Sequence, residues 1–81
     1  MNASEVQQLL QTEFADCEVK VEDLGPGKLG VELVGERFEN MRRVKREQTA
    51  GAPLRDAILD GRIHAVNYRV LTPAERDAQS R

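Results

Sequence analysis

The chain has 81 residues, 40% hydrophobic and 32% charged, which is enough for one domain with a small core. The formal net charge of −2 argues against a general polyanion binder, and no apolar run approaches the roughly 20 residues of a membrane-spanning helix. The single cysteine cannot form an internal disulfide and the first seven residues lack the segments of a secretory signal, so we expect a cytoplasmic protein without membrane contact.

A capping motif and helical spacing predict a first helix over residues 4–14. Ser4 can accept a hydrogen bond from the backbone three residues on, and Gln7 can reach back to the start of the helix. The apolar positions share one face: Val6, Leu9, Leu10 and Phe14. The helix should therefore pack against a core on that side.

Two runs with a period of two follow, joined by a glycine-rich turn, and predict an antiparallel hairpin. Their apolar positions are Cys17, Val19 and Val21 in the first run, and Leu29, Val31 and Leu33 in the second. The segment Gly27-Lys28-Leu29-Gly30 has the GXXG form of a KH-domain loop. It lies between strands rather than between helices, so we interpret it as a turn and not as a nucleic-acid clamp.

Residues 39–60 lose this alternation and predict two short helices. Met41 and Val44 lie on one side of the first, which is basic, and Pro53 suits the first turn of the second. Gly61 fits the position just after the end of that second helix.

The C-terminal part predicts a third strand and a last helical turn. Residues 63–71 are mostly apolar and strand-like, and Thr72 with Glu75 fits a helix cap. We expect residues 1–75 to form a single domain and residues 76–81 to form a frayed polar tail.

The predicted order is helix, strand, strand, helix, helix, strand. If the third strand lies beside the second, the crossover makes that pair parallel and places the helices on one face of a mixed sheet. Parallel strands start at the same end, so the hairpin turn should lie near His64. Cys17 should lie about 20 Å away at the other end, and the two side chains should not share a metal.

Six short motifs follow one another along most of the chain: Val34-Gly35-Glu36-Arg37-Phe38, Met41-Arg42-Arg43-Val44-Lys45, Gln48-Thr49, Pro53-Leu54, Arg62-Ile63-His64-Ala65-Val66 and Thr72-Pro73-Ala74-Glu75. Their order and spacing resemble those of the BolA family, in particular its IbaG-like branch. The resemblance implies an α+β fold similar to class II KH domains, with the order α-β-β-α-α-β and a three-stranded mixed sheet.

The resemblance also implies a function. BolA-like proteins partner monothiol glutaredoxins, with glutathione, in iron–sulfur cluster and iron homeostasis, and bacterial members are linked to stress response and transcriptional control. We therefore expect a non-enzymatic adaptor, a monomer or weak homodimer when alone, with no cofactor in the isolated chain. No constellation of nucleophile, base and acid in the sequence indicates an enzyme.

His64, the only histidine, matches the residue that in this family ligates a [2Fe–2S] cluster shared with the glutaredoxin. The second family ligand, a His or Cys, lies in the loop between the first two strands, where this chain has Lys28. A lysine ammonium must lose its proton before it can bind metal. The alternative for His64 is a core residue, because it shares strand parity with Val66 and Val70.

The basic cluster Arg42, Arg43, Lys45 and Arg46 leaves three alternatives open. It is a solvated helix face, a contact for glutaredoxin or glutathione, or the DNA-binding surface of a transcriptional regulator. Residues 37–81 hold ten basic and six acidic residues, a net charge of +4, whereas residues 1–36 hold two and eight, a net charge of −6. DNA binding by one such cluster would be non-specific and strongly salt-dependent. Beside the adaptor and the transcriptional regulator, the sequence leaves a third class of function open, that of a purely structural interaction domain.

Overall fold

The structure of the chain is a computed structural model that describes residues 1–79. Within this range the order of elements is α1 (Ala3–Glu13), β1 (Glu18–Gly25), β2 (Lys28–Val34), α2 (Arg43–Gly51), α3 (Arg55–Leu59), β3 (Ala65–Leu71) and α4 (Pro73–Gln79). Short 3-10 helices at Glu36–Phe38 and Ala52–Leu54 precede α2 and α3. The predicted α+β order is confirmed. None of the helices in residues 1–79 has the length and apolar character that crossing a bilayer requires.

The three strands form one mixed sheet in the order β1-β2-β3. The pair β1–β2 is antiparallel, from Glu18 opposite Val34 to Gly25 opposite Lys28. The pair β2–β3 is parallel and in continuous register from Lys28 beside Ala65 to Val34 beside Leu71. Both predicted pairings are confirmed, and the crossover from β2 to β3 runs through α2 and α3.

The helices α1, α2 and α3 cover one face of the sheet, as predicted. The buried core cluster takes its side chains from these helices, from the 3-10 helices, from alternate positions of the strands and from the segments that join them: Val6, Leu10, Phe14, Cys17, Leu29, Val31, Leu33, Phe38, Ala50, Leu54, Ala57, Ile63 and Val70. The opposite face carries polar positions, namely Lys20, Glu22, Glu32, Asn67 and Arg69. The alternation of buried and exposed positions along β2 and β3 therefore fixes which side chains can meet a partner.

The start of α1 differs from the sequence prediction. Asn2 is the cap residue: its side chain accepts from the backbone N–H of Glu5 at 2.8 Å, and the Glu5 carboxylate accepts from the Asn2 N–H at 3.1 Å. The predicted capping pair of Ser4 and Gln7 is therefore wrong by two residues. Asn and Ser cap equally well, so the sequence offered two starts within one turn.

Gln7 instead connects α1 to the outer edge of β1. Its amide nitrogen donates to the Val19 carbonyl at 2.8 Å, and its amide oxygen accepts from the Val21 N–H at 2.9 Å. One turn later Gln11 donates to the Cys17 carbonyl at 3.3 Å. These side chains occupy backbone groups that an edge strand otherwise exposes to pairing with another chain.

The inward side of α2 is also different from the prediction. Val44 is 68% exposed and Met41 precedes the helix, so the predicted apolar side built on these two residues is wrong. The inward positions are Ala50, which is fully buried, and Arg46, whose side chain is only 13% exposed. Met41 cannot share a helical face with Val44 because the helix begins after it.

Arg46 joins α2 to the edge of β3 and to α4. Its guanidinium donates to the carbonyls of Met41 at 2.9 Å and Val70 at 3.1 Å, and it forms an ion pair with Glu75 at 2.6 Å. Glu75 also accepts from the Thr72 N–H at 2.8 Å, while its own N–H donates to the Thr72 hydroxyl at 3.2 Å. The predicted cap of Thr72 and Glu75 is thus confirmed.

The chain after this cap does not begin as the frayed tail expected for residues 76–81. Residues 76–79 belong to α4, and Arg76 forms an ion pair with Glu18 of β1. This contact between distant segments holds the last helix against the end of the sheet. Residues 80 and 81 lie outside the described part of the chain.

Loss of the Gln7 amide should destabilise the fold. We expect Gln7→Ala to lower the free energy of unfolding by about 1–3 kcal/mol, because two partly buried hydrogen bonds to β1 are lost. Gln8→Ala, at an exposed position of the same helix, is the control. It should change the free energy of unfolding little, because it alters helix propensity alone. Urea unfolding followed by circular dichroism measures both variants. Equal free energies of unfolding for the two would contradict this account of the β1 edge.

Glu75 should make the stability of the protein depend on acidic pH. The Arg46 guanidinium, with the Thr72 N–H, lowers the pKa of this carboxyl from 4.5 to about 2. Because the folded pKa is depressed, the stabilisation is fully present above pH 4.5 and is lost as the pH falls toward 2. We expect Glu75→Gln to be less stable at neutral pH and to lose less stability across this window.

Thermal unfolding at a series of pH values checks the prediction on Glu75. Glu39→Gln is the matched control, because Glu39 is exposed and forms no ion pair within residues 1–79. A Glu75→Gln variant whose unfolding temperature falls with acid as steeply as that of the unsubstituted chain would contradict the assignment.

Candidate functional site

The hairpin turn between β1 and β2 lies against the start of β3. The Gly27 carbonyl accepts hydrogen bonds from the backbone N–H groups of both His64, at 2.8 Å, and Ala65, at 3.0 Å. This contact confirms the prediction that the turn and His64 lie at one end of the sheet. It follows from the parallel pairing, because β2 and β3 begin at that same end.

His64 is exposed, so the alternative that it is a core residue is wrong. His64 precedes β3 by one residue. Val70 has the same strand parity and is buried, but it lies at the far end of β3. Ile63 is the residue buried at this end: its side chain is 1% exposed, and its N–H donates to the Ala57 carbonyl at 3.0 Å. Ile63 therefore fixes this segment to the core, and the side chain of His64 stays exposed at the rim of the sheet.

Lys28, the residue in place of the family's loop ligand, begins β2 next to this turn. It pairs with Ala65 in the sheet, is exposed, and forms no ion pair within residues 1–79. Strand alternation places Lys28 with Ala65 on the face opposite the helices. The ammonium group is therefore available to an acidic group that approaches this end of the sheet.

His64 is the one imidazole or thiol at this end of the sheet within residues 1–79. No group of three or more His, Cys, Asp or Glu residues in the described chain could hold a metal ion. Cys17 lies at the opposite end, beside the pair of Glu18 with Val34, as predicted. Burial, together with the charge of Asp16, raises the pKa of its thiol, which disfavours the thiolate that metals bind.

A cleft of about 390 Å³ opens beside the turn. Its lining combines apolar groups with a few charged residues: Met1, Asn2, Ala3, Asp23, Gly25, Pro26, Gly27, Lys28, Leu29, Arg62 and Ile63. Asp23 accepts from the Gly25 N–H at 2.9 Å, and Arg62 is paired with Asp60 at 2.8 Å. The cleft is thus lined by the turn, by the segment before β3 and by the start of α1.

The four basic residues predicted as a contact surface do not lie on one surface. Arg46 is turned inward, with its guanidinium occupied by two carbonyls and Glu75. Arg43 forms an ion pair with Glu47 at 2.9 Å, while Arg42 and Lys45 are exposed. Sequence reasoning missed the structural use of Arg46, for which the only signal was Glu75 within the predicted cap. DNA binding by this cluster stays a prediction.

Comparison with families of known proteins gave no matching family model. Among individual proteins, the acid stress protein IbaG of Escherichia coli strain K12 is 43% identical over 75 residues. That alignment covers 93% of this chain and 88% of the relative. The similarity therefore extends through both strands of the hairpin, the basic helix and the segment around His64.

Solved structures show the same architecture. BolA1 from Arabidopsis thaliana superposes with a TM-score of 0.79 at 30% identity, covering 93% of this chain and 96% of that one. A Bol-like protein from Babesia bovis superposes with a TM-score of 0.83 at 24% identity, covering 100% and 95%. The BolA domain of SufE1 from Arabidopsis thaliana superposes with a TM-score of 0.79 at 26% identity, covering 90% of this chain and 93% of that one.

Proposed function

Because this chain belongs to the BolA family, in its IbaG-like branch, we propose that it is a non-enzymatic adaptor that binds a monothiol glutaredoxin and takes part in iron–sulfur cluster handling. The observation that carries the proposal is the exposed imidazole of His64, held at the rim of the sheet by the hairpin turn. A neutral imidazole is a good ligand for iron. Its position favours a metal that is shared with another protein over one enclosed by this chain.

The ligand count supports a shared site. A [2Fe–2S] cluster takes four ligands, and His64 is the one imidazole or accessible thiol that this end of the chain offers. The glutaredoxin cysteine and glutathione would bring the number of ligands to three, and Lys28 cannot serve as the fourth while it is protonated. The cluster would supply iron and sulfide for transfer, and a histidine ligand raises its potential relative to thiolates alone.

The surface beside His64 favours a protein partner. Leu59, at the end of α3, is 76% exposed, and Ile58 is 39% exposed. The hydrogen bond from Ile63 to Ala57 ties this end of α3 to the segment that carries His64. Exposed apolar side chains next to a candidate ligand are typical of a docking surface, whereas a site for a small ion would need only polar groups.

The relatives suggest when this adaptor acts. One relative is named an acid stress protein, and we extend that physiological setting to this chain as part of the proposal. The inward Arg46 and the paired Arg43 leave no observation that favours transcriptional regulation through DNA.

Loss of the imidazole should remove the cluster from the complex. We expect His64→Ala, co-expressed with a monothiol glutaredoxin, to lose most of the visible absorption of the purified complex, because the only imidazole at the rim is gone. Asn67→Ala, at an exposed position of β3, should keep this absorption. Far-UV circular dichroism verifies both folds. A visible spectrum unchanged by His64→Ala would remove this residue from the site.

A histidine in the loop should strengthen the site. We expect Lys28→His to slow cluster loss from the glutaredoxin complex, because it adds an imidazole and removes a cation at the same end of the sheet. Lys20→His is the control, since Lys20 pairs with Glu32 in the middle of the sheet. Absorbance decay under a chelator gives the rates. Cluster loss that is equal or faster in Lys28→His would show that position 28 does not face the cluster.

A further inference from the structure

Gly27 lies directly beneath the His64 ring. A β-carbon built on Gly27 would lie 2.6 Å from His64 Nδ1, 2.8 Å from Cγ and 3.2 Å from Cβ. The first two distances are shorter than any real contact of a β-carbon, so the ring occupies the space that a side chain at position 27 would need. The two ring atoms nearest to that built β-carbon are Nδ1 and Cγ, on the side of the imidazole that carries Nδ1.

The same residue holds the backbone of His64. The Gly27 carbonyl accepts from the N–H groups of His64 and Ala65, so the ring and the chain that carries it rest on one residue. Gly27 has φ of +69°, which also favours glycine. Gly25 and Gly61 have φ of +128° and +85°, but a β-carbon at either would meet nothing within 4 Å. Only at position 27 of these three does glycine serve both the backbone and a neighbouring side chain.

We propose that Gly27 is a positioning residue that turns the Nδ1 edge of His64 toward the hairpin and presents Nε2 to the partner. Nε2 is the ring nitrogen farther from the backbone, whereas Cβ, Cγ and Nδ1 are the atoms nearest to a β-carbon built on Gly27. The consequence for a metal is that Nε2 is the coordinating atom. This last step depends on the proposed function, whereas the orientation of the ring belongs to the isolated chain.

Fixing the ring before binding has a physical benefit. An exposed side chain loses rotamer freedom when it is immobilised in a complex, which costs free energy. A ring that already rests on the turn loses less of this freedom. The turn is thus the support that a ligand side chain needs to keep its geometry, although it provides no hydrogen bond to the ring.

Alkylation of the isolated chain tests the orientation. Bromoacetate modifies either ring nitrogen, and NMR of the modified chain distinguishes the Nε2 adduct from the Nδ1 adduct. We expect the unsubstituted chain to react mainly at Nε2. In Gly27→Ala the ratio of Nε2 to Nδ1 adducts should fall several-fold, because the added β-carbon displaces the ring. Gly61→Ala carries comparable backbone strain without the contact, and should react like the unsubstituted chain.

A second variant separates the contact from the strain. Gly27→Asn also adds a β-carbon, but Asn tolerates a positive φ better than Ala, so the fold should persist, as amide NMR spectra will verify. It should lower the adduct ratio as Gly27→Ala does. An unsubstituted chain that reacts equally at both nitrogens, or an unchanged ratio in folded Gly27→Asn, would overturn the positioning.

The coordinating atom is tested in the glutaredoxin complex. Histidine labelled with ¹⁵N at Nε2 alone should give strong hyperfine coupling to the reduced cluster in pulsed electron paramagnetic resonance. Coupling from an Nδ1 label instead would overturn the assignment of the ligating nitrogen. The two ideas fail separately: selective alkylation without a coloured complex contradicts the proposed function alone, and a coloured complex with unselective alkylation contradicts the positioning alone.

Discussion

The parallel pairing of β2 with β3 is the constraint on which the candidate site depends. Its register begins with Lys28 beside Ala65, so the turn that precedes β2 and the segment that precedes β3 meet at one end of the sheet. The Gly27 carbonyl completes that junction by accepting two N–H groups from the start of β3. A shift of one residue in this register would move the side chains of β3 to the other face and separate His64 from the turn.

The two edges of the sheet are covered by polar side chains from helices. Gln7 and Gln11 of α1 bond the outer backbone groups of β1, and Arg46 of α2 bonds the Val70 carbonyl at the edge of β3. Such contacts oppose the pairing of these edges with other chains. They leave the end of the sheet, with its turn and exposed imidazole, as the better place for a partner to dock.

Much of the fold could be predicted from the sequence, because it depends on local patterns. The period of two predicted the hairpin, and Thr72 with Glu75 predicted the start of α4. The inward position of Arg46 could not be predicted in this way. A charged residue is expected on the surface, and its carbonyl partners lie up to 24 residues away in the chain.

One part of the candidate site could likewise be predicted from the sequence, and another part could not. The sequence and its family resemblance identified His64 and the Lys28 position, and the predicted topology placed them at one end of the sheet. The proposed orientation of the imidazole rests on the space that glycine leaves at position 27, which no periodicity records. The exposed end of α3, marked by Leu59, was equally hidden, because a helix of five residues has no complete apolar face to recognise.

Chemical-shift mapping tests the central claim most directly, namely that this end of the sheet is where a monothiol glutaredoxin docks. The ¹⁵N-labelled chain would be titrated with unlabelled glutaredoxin in the presence of glutathione. We expect the shifts to concentrate in residues 25–28 and 58–65. Shifts concentrated instead around Cys17 and Gly35 at the opposite end, or no shifts at all, would contradict it.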